Sequence, residues 1–179
     1  MTVTPSLLPS DNPRVPAARY PFRHSVSLQT RFTDIDPLGH VNNNVYLAFM
    51  DMAKLDYFAA ITGSPTADVR DIRAVVVNVN VDFFEPSYFN EPLTVWTAVT
   101  HIGHRSFTIE QRIVNPSSSH TKCIGRTTLA GFAPATASGA DLQPSLIAAV
   151  IAFEHRPDLT AAASASQPTP TAQPFPVKE

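Results

Sequence analysis

Alternation of apolar and polar residues along the chain predicts five β-strands. The clearest strand is AVVVNVNVDF, residues 74–83, where the odd-numbered apolar side chains from Val75 onward would share one face and the asparagines the other. The other four are FRHSVSLQTRF, LTVWTAVT, SFTIEQRIV and KCIGRTTLAGF. These stretches are rich in β-branched residues, which favour extended structure. Gly103 and the segment NPSSS are typical of the turns that join such strands into hairpins.

A different spacing of apolar residues predicts two helices. In the first, from about Val41 to Ile61, apolar residues nearly encircle the axis, and Asp51 and Lys54 leave only a narrow polar strip. Such a helix must be covered on most of its sides. The second helix runs from about residue 144 to 153, with proline in its first turn. This order predicts an α+β domain in which one antiparallel sheet curls around the first helix, leaving an open face that favours dimerisation.

Proline and small polar residues predict that both ends of the chain lie outside this domain. Of the 17 prolines, five fall in residues 1–21 and four in residues 168–176. Such segments bury too little apolar surface to order themselves. We therefore expect a disordered tail over residues 1–19, a folded domain over 20–156 and a disordered Pro/Ala-rich tail over 157–179. Residues 1–18 and 160–179 are expected to be dispensable for activity and for the melting temperature.

The balance of charge limits the partners of the protein. The net charge of −2 provides no general basic field, so we expect neither nucleic acid nor an anionic membrane as a partner. An anionic ligand would therefore need a local cationic cluster. Lys122 and Arg126 lie on one face of a predicted strand, where a solvated surface is favoured over contact with phosphate. No apolar run approaches the roughly 20 residues that span a bilayer.

Cysteine content and motifs narrow the class further. The single cysteine, Cys123, excludes an intrachain disulfide and fits a reducing compartment. The N-terminus lacks the basic start and apolar run of a signal peptide, so we expect a cytoplasmic protein. The sequence contains no Gly-x-Ser-x-Gly elbow, no phosphate-binding glycine loop and no convincing metal-ligand spacing. We therefore expect no metal and no cofactor.

Polar chemistry is concentrated in DIDPLGHVNNNVY, residues 34–46, directly before the apolar helix. The first N–H groups of a helix lack intrahelical partners and carry partial positive charge, so they can polarise a carbonyl and hold an oxyanion. A neighbouring carboxylate can act as a general base toward water or as a nucleophile. Asp36 is a better candidate than Asp34 because it immediately precedes the Pro-Leu-Gly turn. Gly39 lets the backbone approach a bound group closely.

Turn and capping chemistry is the alternative explanation for the same residues. An Asp-x-Asp-Pro stretch before a helix often serves only the turn and the cap. For Asn42, Asn43 and Asn44, capping or loop hydrogen bonding is favoured over substrate contact. A lone histidine such as His40 is more often a satisfied polar residue than a ligand. Tyr46 is expected to lie partly in the core, with its hydroxyl reaching a polar group.

The run RFTDIDPLGHVNNNVYLAFMDMAKLDYF resembles the signature of the hotdog-fold acyl-CoA thioesterases, the 4-hydroxybenzoyl-CoA thioesterase-like group. That signature is an Asp-x-Asp-x-x-Gly turn entering a long helix, commonly with His-Val-Asn-Asn and a tyrosine. The stretches VVVNVNVDFFEPSYFNEPLTV and GHRSF resemble the group's second strand with its following connection and its strand-turning motif. The resemblance covers roughly residues 20–135. It implies a five-stranded antiparallel sheet wrapped around a long central helix, in homodimers or dimers of dimers with the site at the subunit interface.

The resemblance also implies an activity, the hydrolysis of an acyl-CoA thioester to a free acid and CoA. It assigns catalysis to Asp36, as general base or nucleophile, and contacts with the CoA phosphates to residues 103–106. The acyl tail is expected to run beside the central helix. The candidate catalytic residues are Asp36, Gly39, His40, Asn42 and Tyr46. The candidate substrate-binding residues are Asn43, Phe49, Met50, Gly103, His104, Arg105 and Ser106.

Two other functions remain open at this point. A hotdog dehydratase or hydratase acting on acyl thioesters would need a histidine base, for which His40 is the candidate, although its GHVNN context differs from that of a dehydratase. A non-catalytic acyl-thioester binding protein would have the same pocket without turnover.

Overall fold

The computed structural model of the protein describes residues 4–10, 12–63 and 72–159, which form two α-helices and one antiparallel sheet. In chain order the elements are β1 (His24–Leu28), α1 (Asn43–Thr62), β2 (Ala74–Phe83), β3 (Leu93–Ile102), β4 (Ser106–Val114), β5 (Thr121–Ala133), β6 (Ser138–Gly139) and α2 (Pro144–Glu154). A short 3₁₀ turn, Phe32–Asp34, lies between β1 and α1.

The strands lie in the order β1-β3-β4-β5-β2, and the two-residue β6 pairs with β5. The chain that leaves β1 forms α1, which packs on one face of this sheet, here called the inner face. The predicted α+β hotdog fold is confirmed, with β6 as an addition to the five predicted strands. Within the described residues, no helix has the length and apolar run needed to cross a membrane.

Local chemistry fixes both ends of α1. The Asn42 side chain caps the N-terminus by accepting a hydrogen bond of 2.9 Å from the Asn44 N–H. Gly63 ends the helix in the left-handed region, with φ of 68°, where glycine carries no steric cost. The helix therefore begins directly behind the polar turn that the sequence singled out.

The core consists of two apolar clusters along α1. The cluster around the N-terminal half of α1 contains Val41, Tyr46, Phe49, Met50, Ala53, Leu93, Val95, Ile113 and Cys123. The cluster around the C-terminal half joins Tyr57, Phe58 and Ile61 to β3, β4 and α2. Gly125 on β5 lets the two elements approach, because a Cβ there would meet the Met50 sulfur. The polar turn before α1 thus lies at one end of a packed helix–sheet interface.

β2 is the exposed edge of the sheet, and its face pattern differs from the prediction. The register with β5 shifts between Val76 and Asn78, so a bulge interrupts the alternation. Val79, Val81 and Phe83 share the inner face, whereas Val75 lies on the opposite face. A strict alternation from Val75 to Phe83 is therefore wrong. The valines of β2 remain largely exposed despite their apolar character.

The solvent side of α1 also carries apolar residues. Leu47, Met52 and Leu55 are exposed, whereas the opposite side of the helix is buried against the sheet. The sequence predicted that α1 is covered on most of its sides. Within one chain, the structure covers only part of its apolar surface. Exposed apolar faces such as those on α1 and β2 are typical of interaction surfaces.

Part of the segment predicted as an N-terminal tail is packed against the outer face of the sheet. Ser6 pairs with Phe22 through two backbone hydrogen bonds, and the side chains of Leu8 and Val15 are buried. The Pro16 carbonyl accepts a hydrogen bond of 2.8 Å from buried Arg112. This differs from the expectation for residues 1–19, because a few isolated apolar side chains find partners on the sheet. At the other end, Leu159 joins the core cluster and residues 160–179 lie outside the described ranges.

Candidate active site

The turn before α1 is held in one conformation by backbone hydrogen bonds. The Asp36 N–H donates to the His40 carbonyl and the Gly39 N–H donates to the Asp36 carbonyl, both at 2.9 Å. Ile35 and Val41 form an isolated antiparallel bridge across the turn. Gly39 has φ of 84°, a conformation that a residue with a Cβ adopts only with strain. The Pro-Leu-Gly sequence therefore produces a closed turn that presents Asp36 and His40 together.

The Asp36 carboxylate is anchored through one oxygen and directed toward His40 through the other. Oδ1 accepts a hydrogen bond of 2.8 Å from the Leu38 N–H. Oδ2 lies 3.5 Å from His40 Nδ1, and the Asp36 side chain is 14% exposed. The carboxylate is thus oriented, close to solvent and adjacent to an imidazole, as a general base or nucleophile requires.

Asp34 has a different role in the same turn. Its Oδ2 accepts a hydrogen bond of 2.7 Å from the Arg31 N–H at the start of the 3₁₀ turn. Its carbonyl accepts the Asn42 N–H at 2.9 Å. These bonds stabilise the entry into α1, which agrees with the preference for Asp36 over Asp34 as the reactive carboxylate.

The N-terminus of α1 leaves one backbone donor for a ligand. Asn42 satisfies the next two donors, because its side chain caps Asn44 and its carbonyl accepts the Val45 N–H at 2.9 Å. The Asn43 N–H has no acceptor among the described residues. Asn43 thus supplies the first helix donor, while Asn42 acts as the cap, as the alternative interpretation of the asparagines proposed.

A cavity of about 410 Å³ opens beside this helix end. It is lined by Leu38, His40, Val41, Asn43, Tyr46, Phe83, Phe84, Glu85 and Pro86. Three predicted site residues, His40, Asn43 and Tyr46, therefore meet in one cavity. Asp36 does not line this cavity itself but lies behind His40. The walls combine apolar side chains with polar groups in similar proportion, and His40, Asn43 and Tyr46 place three of the polar groups at the helix end.

Tyr46 anchors the floor of the cavity. Its ring packs edge-to-face against Phe83 with centroids 5.5 Å apart, and its hydroxyl lies beside Ser87. Burial raises the pKa of the Tyr46 phenol above its ordinary value. The hydroxyl therefore keeps its proton at neutral pH and can donate a hydrogen bond. The Ser87 hydroxyl is itself buried.

Phe49 and Met50 occupy the core rather than a cavity. Both belong to the apolar cluster around the N-terminal half of α1, and Met50 packs against Gly125. Neither lines any of the cavities at the helix entrance. Their expected contact with an acyl tail stays a prediction, which requires these side chains to move or the tail to reach them through a second subunit.

The predicted CoA-binding residues lie at the opposite end of α1. Gly103, His104 and Arg105 form the turn between β3 and β4, and Ser106 begins β4. This turn adjoins the core cluster around the C-terminal half of the helix. A helix of 20 residues is about 30 Å long, so the turn is remote from Asp36 in the same chain. Arg105 donates to the Gly139 carbonyl at 2.8 Å, and His104 Nδ1 lies 3.2 Å from Asp141 Oδ1.

The β2–β3 connection, residues 84–92, contributes contacts at the site that the sequence does not indicate. Its Ser87 carbonyl accepts the Val41 N–H at 2.8 Å, directly beside the Asp36 turn. Phe84, Glu85 and Pro86 line the cavity. The family resemblance includes this connection but assigns no roles to its residues. Only the many polar residues between two strands could have drawn attention to it.

Comparison with known proteins supports the same family as the sequence motifs. The family model of the thioesterase superfamily matches residues 38–120, a range that begins just after Asp36. The chain is 27% identical over 86 residues to the long-chain acyl-CoA thioesterase FadM of Escherichia coli K12. That alignment covers 48% of this chain and 65% of the relative, so the chain spans slightly less than two thirds of that protein's length.

Solved structures share the fold. A thioesterase from Thermus thermophilus, crystallised with coenzyme A and Zn, superposes with a TM-score of 0.68 and 29% identity over 76% of this chain and 97% of that one. A 1,4-dihydroxy-2-naphthoyl-CoA thioesterase from Synechocystis has a TM-score of 0.63 at 18% identity, over 71% and 94% of the two chains. These findings confirm that the chain resembles the hotdog-fold thioesterases, and they agree with the predicted enzyme class, a thioester hydrolase.

Proposed function

We propose that the protein is an acyl-CoA thioesterase that hydrolyses its substrate at the cavity before α1. The observation that carries this proposal is the arrangement of Asp36, His40 and the Asn43 N–H around the N-terminus of one helix. A reactive carboxylate, an imidazole and an unpaired helix donor are the groups needed to attack a thioester carbonyl and hold the oxyanion. The names of the relatives support the acyl-CoA class.

In this mechanism the thioester carbonyl lies against the N-terminus of α1. The Asn43 N–H and the helix dipole stabilise the negative charge that develops on the carbonyl oxygen. Asp36 either takes a proton from water, which then forms the new C–O bond, or attacks the carbonyl carbon itself. In the first route the C–S bond breaks and the proton held by Asp36 passes to the departing CoA thiolate. In the second route the C–S bond breaks to give a CoA thiolate and an acyl-Asp36 anhydride. Water then cleaves this anhydride, which releases the free acid and the Asp36 carboxylate, and the second proton of that water converts the thiolate to the thiol. His40 lies close enough to Asp36 Oδ2 to orient it or to exchange a proton with it.

The apolar walls of the cavity suit the first part of an acyl chain. Val41, Phe83 and Pro86 present carbon surfaces beside the polar helix end. Burial of each methylene group stabilises the complex by about 0.8 kcal/mol, so the acyl tail contributes to affinity while the polar groups fix its carbonyl. Tyr46 closes the floor and limits how deeply a chain can enter.

The proposed active form is a homodimer, either alone or within a tetramer, that pairs along β2. This ten-residue edge strand is long and apolar, and an unpaired edge of that kind is otherwise prone to aggregation. Antiparallel pairing of two β2 strands would place the end of β2 near Phe83 beside the start of β2 in the partner. The β3–β4 turn of the partner then lies at the same end as Asp36. A second copy thus explains how Arg105, remote within one chain, can contact the nucleotide of a CoA bound at the other.

Hydrolysis of a panel of acyl-CoAs tests this proposal. The purified protein should release free thiol and the corresponding acid from at least one aliphatic or aromatic member, with saturation kinetics. Saturable binding across the panel without thiol release would instead indicate the non-catalytic acyl-thioester binding protein. The expected cytoplasmic location stays a prediction, which cell fractionation tests separately.

A hydratase or dehydratase is the second candidate, because His40 lines the cavity and has a carboxylate behind it. Such a pair can act as a base toward a 3-hydroxyacyl thioester. Incubation with an enoyl-CoA separates the two functions, since hydration consumes the conjugated double bond and leaves the thioester intact. Loss of enoyl absorbance without thiol release would replace the thioesterase assignment.

A further inference from the structure

The β2–β3 connection is hydrogen-bonded to the turn around Asp36 through a buried residue, Ser87. The Ser87 carbonyl accepts the Val41 N–H at 2.8 Å, and Ser87 is completely buried. Val41 in turn forms the backbone bridge with Ile35 that closes the turn around Asp36. The position of the connection therefore determines the position of the turn and of the first residues of α1.

Lys122 on β5 anchors this connection. Its Nζ lies 2.7 Å from Glu91 Oε1 and 3.5 Å from Glu85 Oε2, and it donates to the Pro86 carbonyl at 3.1 Å. Its own carbonyl accepts the Phe84 N–H at 2.8 Å. One residue thus contacts the connection at its start, its middle and its end.

Glu91 is the second anchor. It accepts hydrogen bonds from the Tyr88 N–H at 2.9 Å and from Asn115 Nδ2 at 2.7 Å, in addition to Lys122. Burial opposes ionisation of Glu91, but the hydrogen bonds from Lys122 and Asn115 outweigh it and hold the pKa of the carboxyl below its ordinary value. Glu91 is therefore charged at neutral pH, and both members of the pair are bound to backbone groups of the connection.

Burial distinguishes this pair from an ordinary surface ion pair. The side chains of Lys122 and Glu91 are 7% and 13% exposed. Loss of one member of such a pair leaves an uncompensated charge in a poorly solvated position, whereas exposed pairs contribute little. The solvated face predicted for Lys122 is therefore wrong, because the structure places its side chain beneath the connection.

We propose that Lys122 is a positioning residue: through Glu91 and the β2–β3 connection, it holds the Val41–Ser87 contact that sets the geometry of the Asp36 turn. The effect of Lys122 on hydrolysis rests on the proposed function. Misplacement of a reactive group by about 1 Å can reduce the rate about 100-fold, while contacts that bind the rest of the substrate are unaffected. The Lys122 ammonium contacts two residues of the cavity lining, Glu85 and Pro86, both of which belong to the connection. Among the described residues it makes no ion pair or hydrogen bond with Asp36.

Substitution of the two anchors tests the proposal through kinetics. Lys122→Met and Glu91→Gln should each lower kcat for the best acyl-CoA at least tenfold, with KM changed less than about threefold. The double variant should be no worse than the poorer single variant, because both act through one contact. Lys122→Arg, which keeps the charge, should recover most of kcat. If Lys122→Met does not fold, the Glu91→Gln variant decides. Values of kcat within twofold of the wild type would overturn the role in hydrolysis.

Hydrogen exchange of one amide provides a readout that is independent of activity. The Val41 N–H should exchange at least tenfold faster in Lys122→Met and Glu91→Gln than in the wild-type protein. The Val99 N–H, which donates to Glu154 at 2.9 Å far from the site, serves as the internal reference. Arg156→Met, which removes a similarly buried cation of the pair with Asp158, should leave Val41 unchanged. Unchanged Val41 exchange in both anchor variants would overturn the proposal, whether or not the wild-type protein hydrolyses acyl-CoA.

Discussion

The two ends of α1 use polar side chains in opposite ways. At the C-terminal half, Tyr57 donates to Glu154 Oε1 at 2.6 Å and the same oxygen accepts the Val99 N–H, all of them buried. At the N-terminal end, Asp36 and His40 are partly exposed and lie beside a cavity. The first cluster satisfies its own members, whereas the second leaves the Asn43 N–H without an acceptor among the described residues, next to the cavity.

This difference shows how polar groups that stabilise the fold can be distinguished from polar groups that are available to react with a substrate. Burial raises the pKa of Tyr57 and of Glu154, yet both groups are saturated by each other and by the backbone. A strong pKa shift in this domain therefore reports burial and not reactivity, and burial also raises the pKa of the Cys123 thiol and of the Tyr46 phenol beside the N-terminal half of α1. The end that we propose to be reactive is marked by accessibility, by the Asn43 N–H of the first helical turn and by the left-handed Gly39 before it. Variants at the two ends should accordingly separate activity from stability.

Apart from removal of the Asp36 carboxylate, the largest loss of hydrolysis is expected from a substitution at the β2 edge. Val79→Lys introduces a charge near the middle of β2, where antiparallel pairing would place it close to its own copy. The monomer should tolerate this change because Val79 is already 45% exposed. Light scattering should show dissociation, and hydrolysis should fall at least tenfold. Leu55→Lys, on the exposed side of α1, is the control; dissociation by Leu55→Lys alone would place the dimer interface on the helix instead.

Removal of residues 1–19 should lower stability markedly while leaving the reactive end intact. The deletion exposes the surface covered by Leu8 and Val15. It also removes the Pro16 carbonyl, which accepts a hydrogen bond from buried Arg112. Burial of two such side chains contributes about 3 kcal/mol or more, so Tm should fall by several degrees. Removal of residues 160–179 is the matched control, which the sequence predicts to be neutral. An unchanged Tm after the N-terminal deletion would restore the prediction of a dispensable tail.

Whether a feature of this structure can be predicted from the sequence depends on how far apart in the chain the contacting residues lie. The strands, α1 and the Asp36 turn follow from local patterns, because alternation, capping by Asn42 and the conformation of Gly39 act within a few residues. The anchoring of the β2–β3 connection by Lys122 joins segments 31 residues apart, from Glu91 to Lys122. Nothing in either local sequence announces that contact.

Other features escape sequence-based prediction for related physical reasons. The bulge in β2 changes the face of Val75, and a simple alternation cannot show an inserted residue. Packing of Leu8 and Val15 depends on the outer face of the sheet, which forms only in the folded domain. The separation of Arg105 from Asp36 follows from the hairpin order, and the homodimer is our proposal for how both residues meet one substrate. The predicted roles of residues 103–106 stay predictions.

A smaller loss of stability is expected from a substitution in the C-terminal half of α1. Tyr57→Phe removes the hydroxyl that donates to Glu154 but retains the packing of the ring. Loss of one buried hydrogen bond should lower the free energy of unfolding by about 1–3 kcal/mol. Hydrolysis below the melting transition should stay within twofold of the wild-type rate. Chemical denaturation and steady-state kinetics on the same sample check both statements, and a tenfold loss of kcat would contradict the division between the two ends.

The smallest effect concerns the pH dependence of stability near β1. Burial lowers the pKa of His24 below 6.5, against the opposing influence of Asp56, whose Oδ1 lies 2.8 Å from His24 Nε2. The unfolded chain therefore takes up this proton first as the pH falls. The contribution of His24 is fully present above about pH 6.5 and is lost as the pH falls toward the lower folded pKa. His24→Gln should flatten Tm between pH 7 and about pH 5; an unchanged slope would assign the pH dependence to other groups.

The measurement that most directly tests the central claim is a side-by-side assay of Asp36→Asn and Asp34→Asn with the best acyl-CoA. Asn keeps the shape of each side chain but removes the basic and nucleophilic oxygen. Asp36→Asn should reduce kcat by about 100- to 10,000-fold with an unchanged circular dichroism spectrum. Asp34→Asn should have a much smaller effect on kcat, because Asp34 serves the turn. Retention of more than about a tenth of wild-type kcat by Asp36→Asn, or an equal loss in both variants, would contradict the assignment of the reactive end.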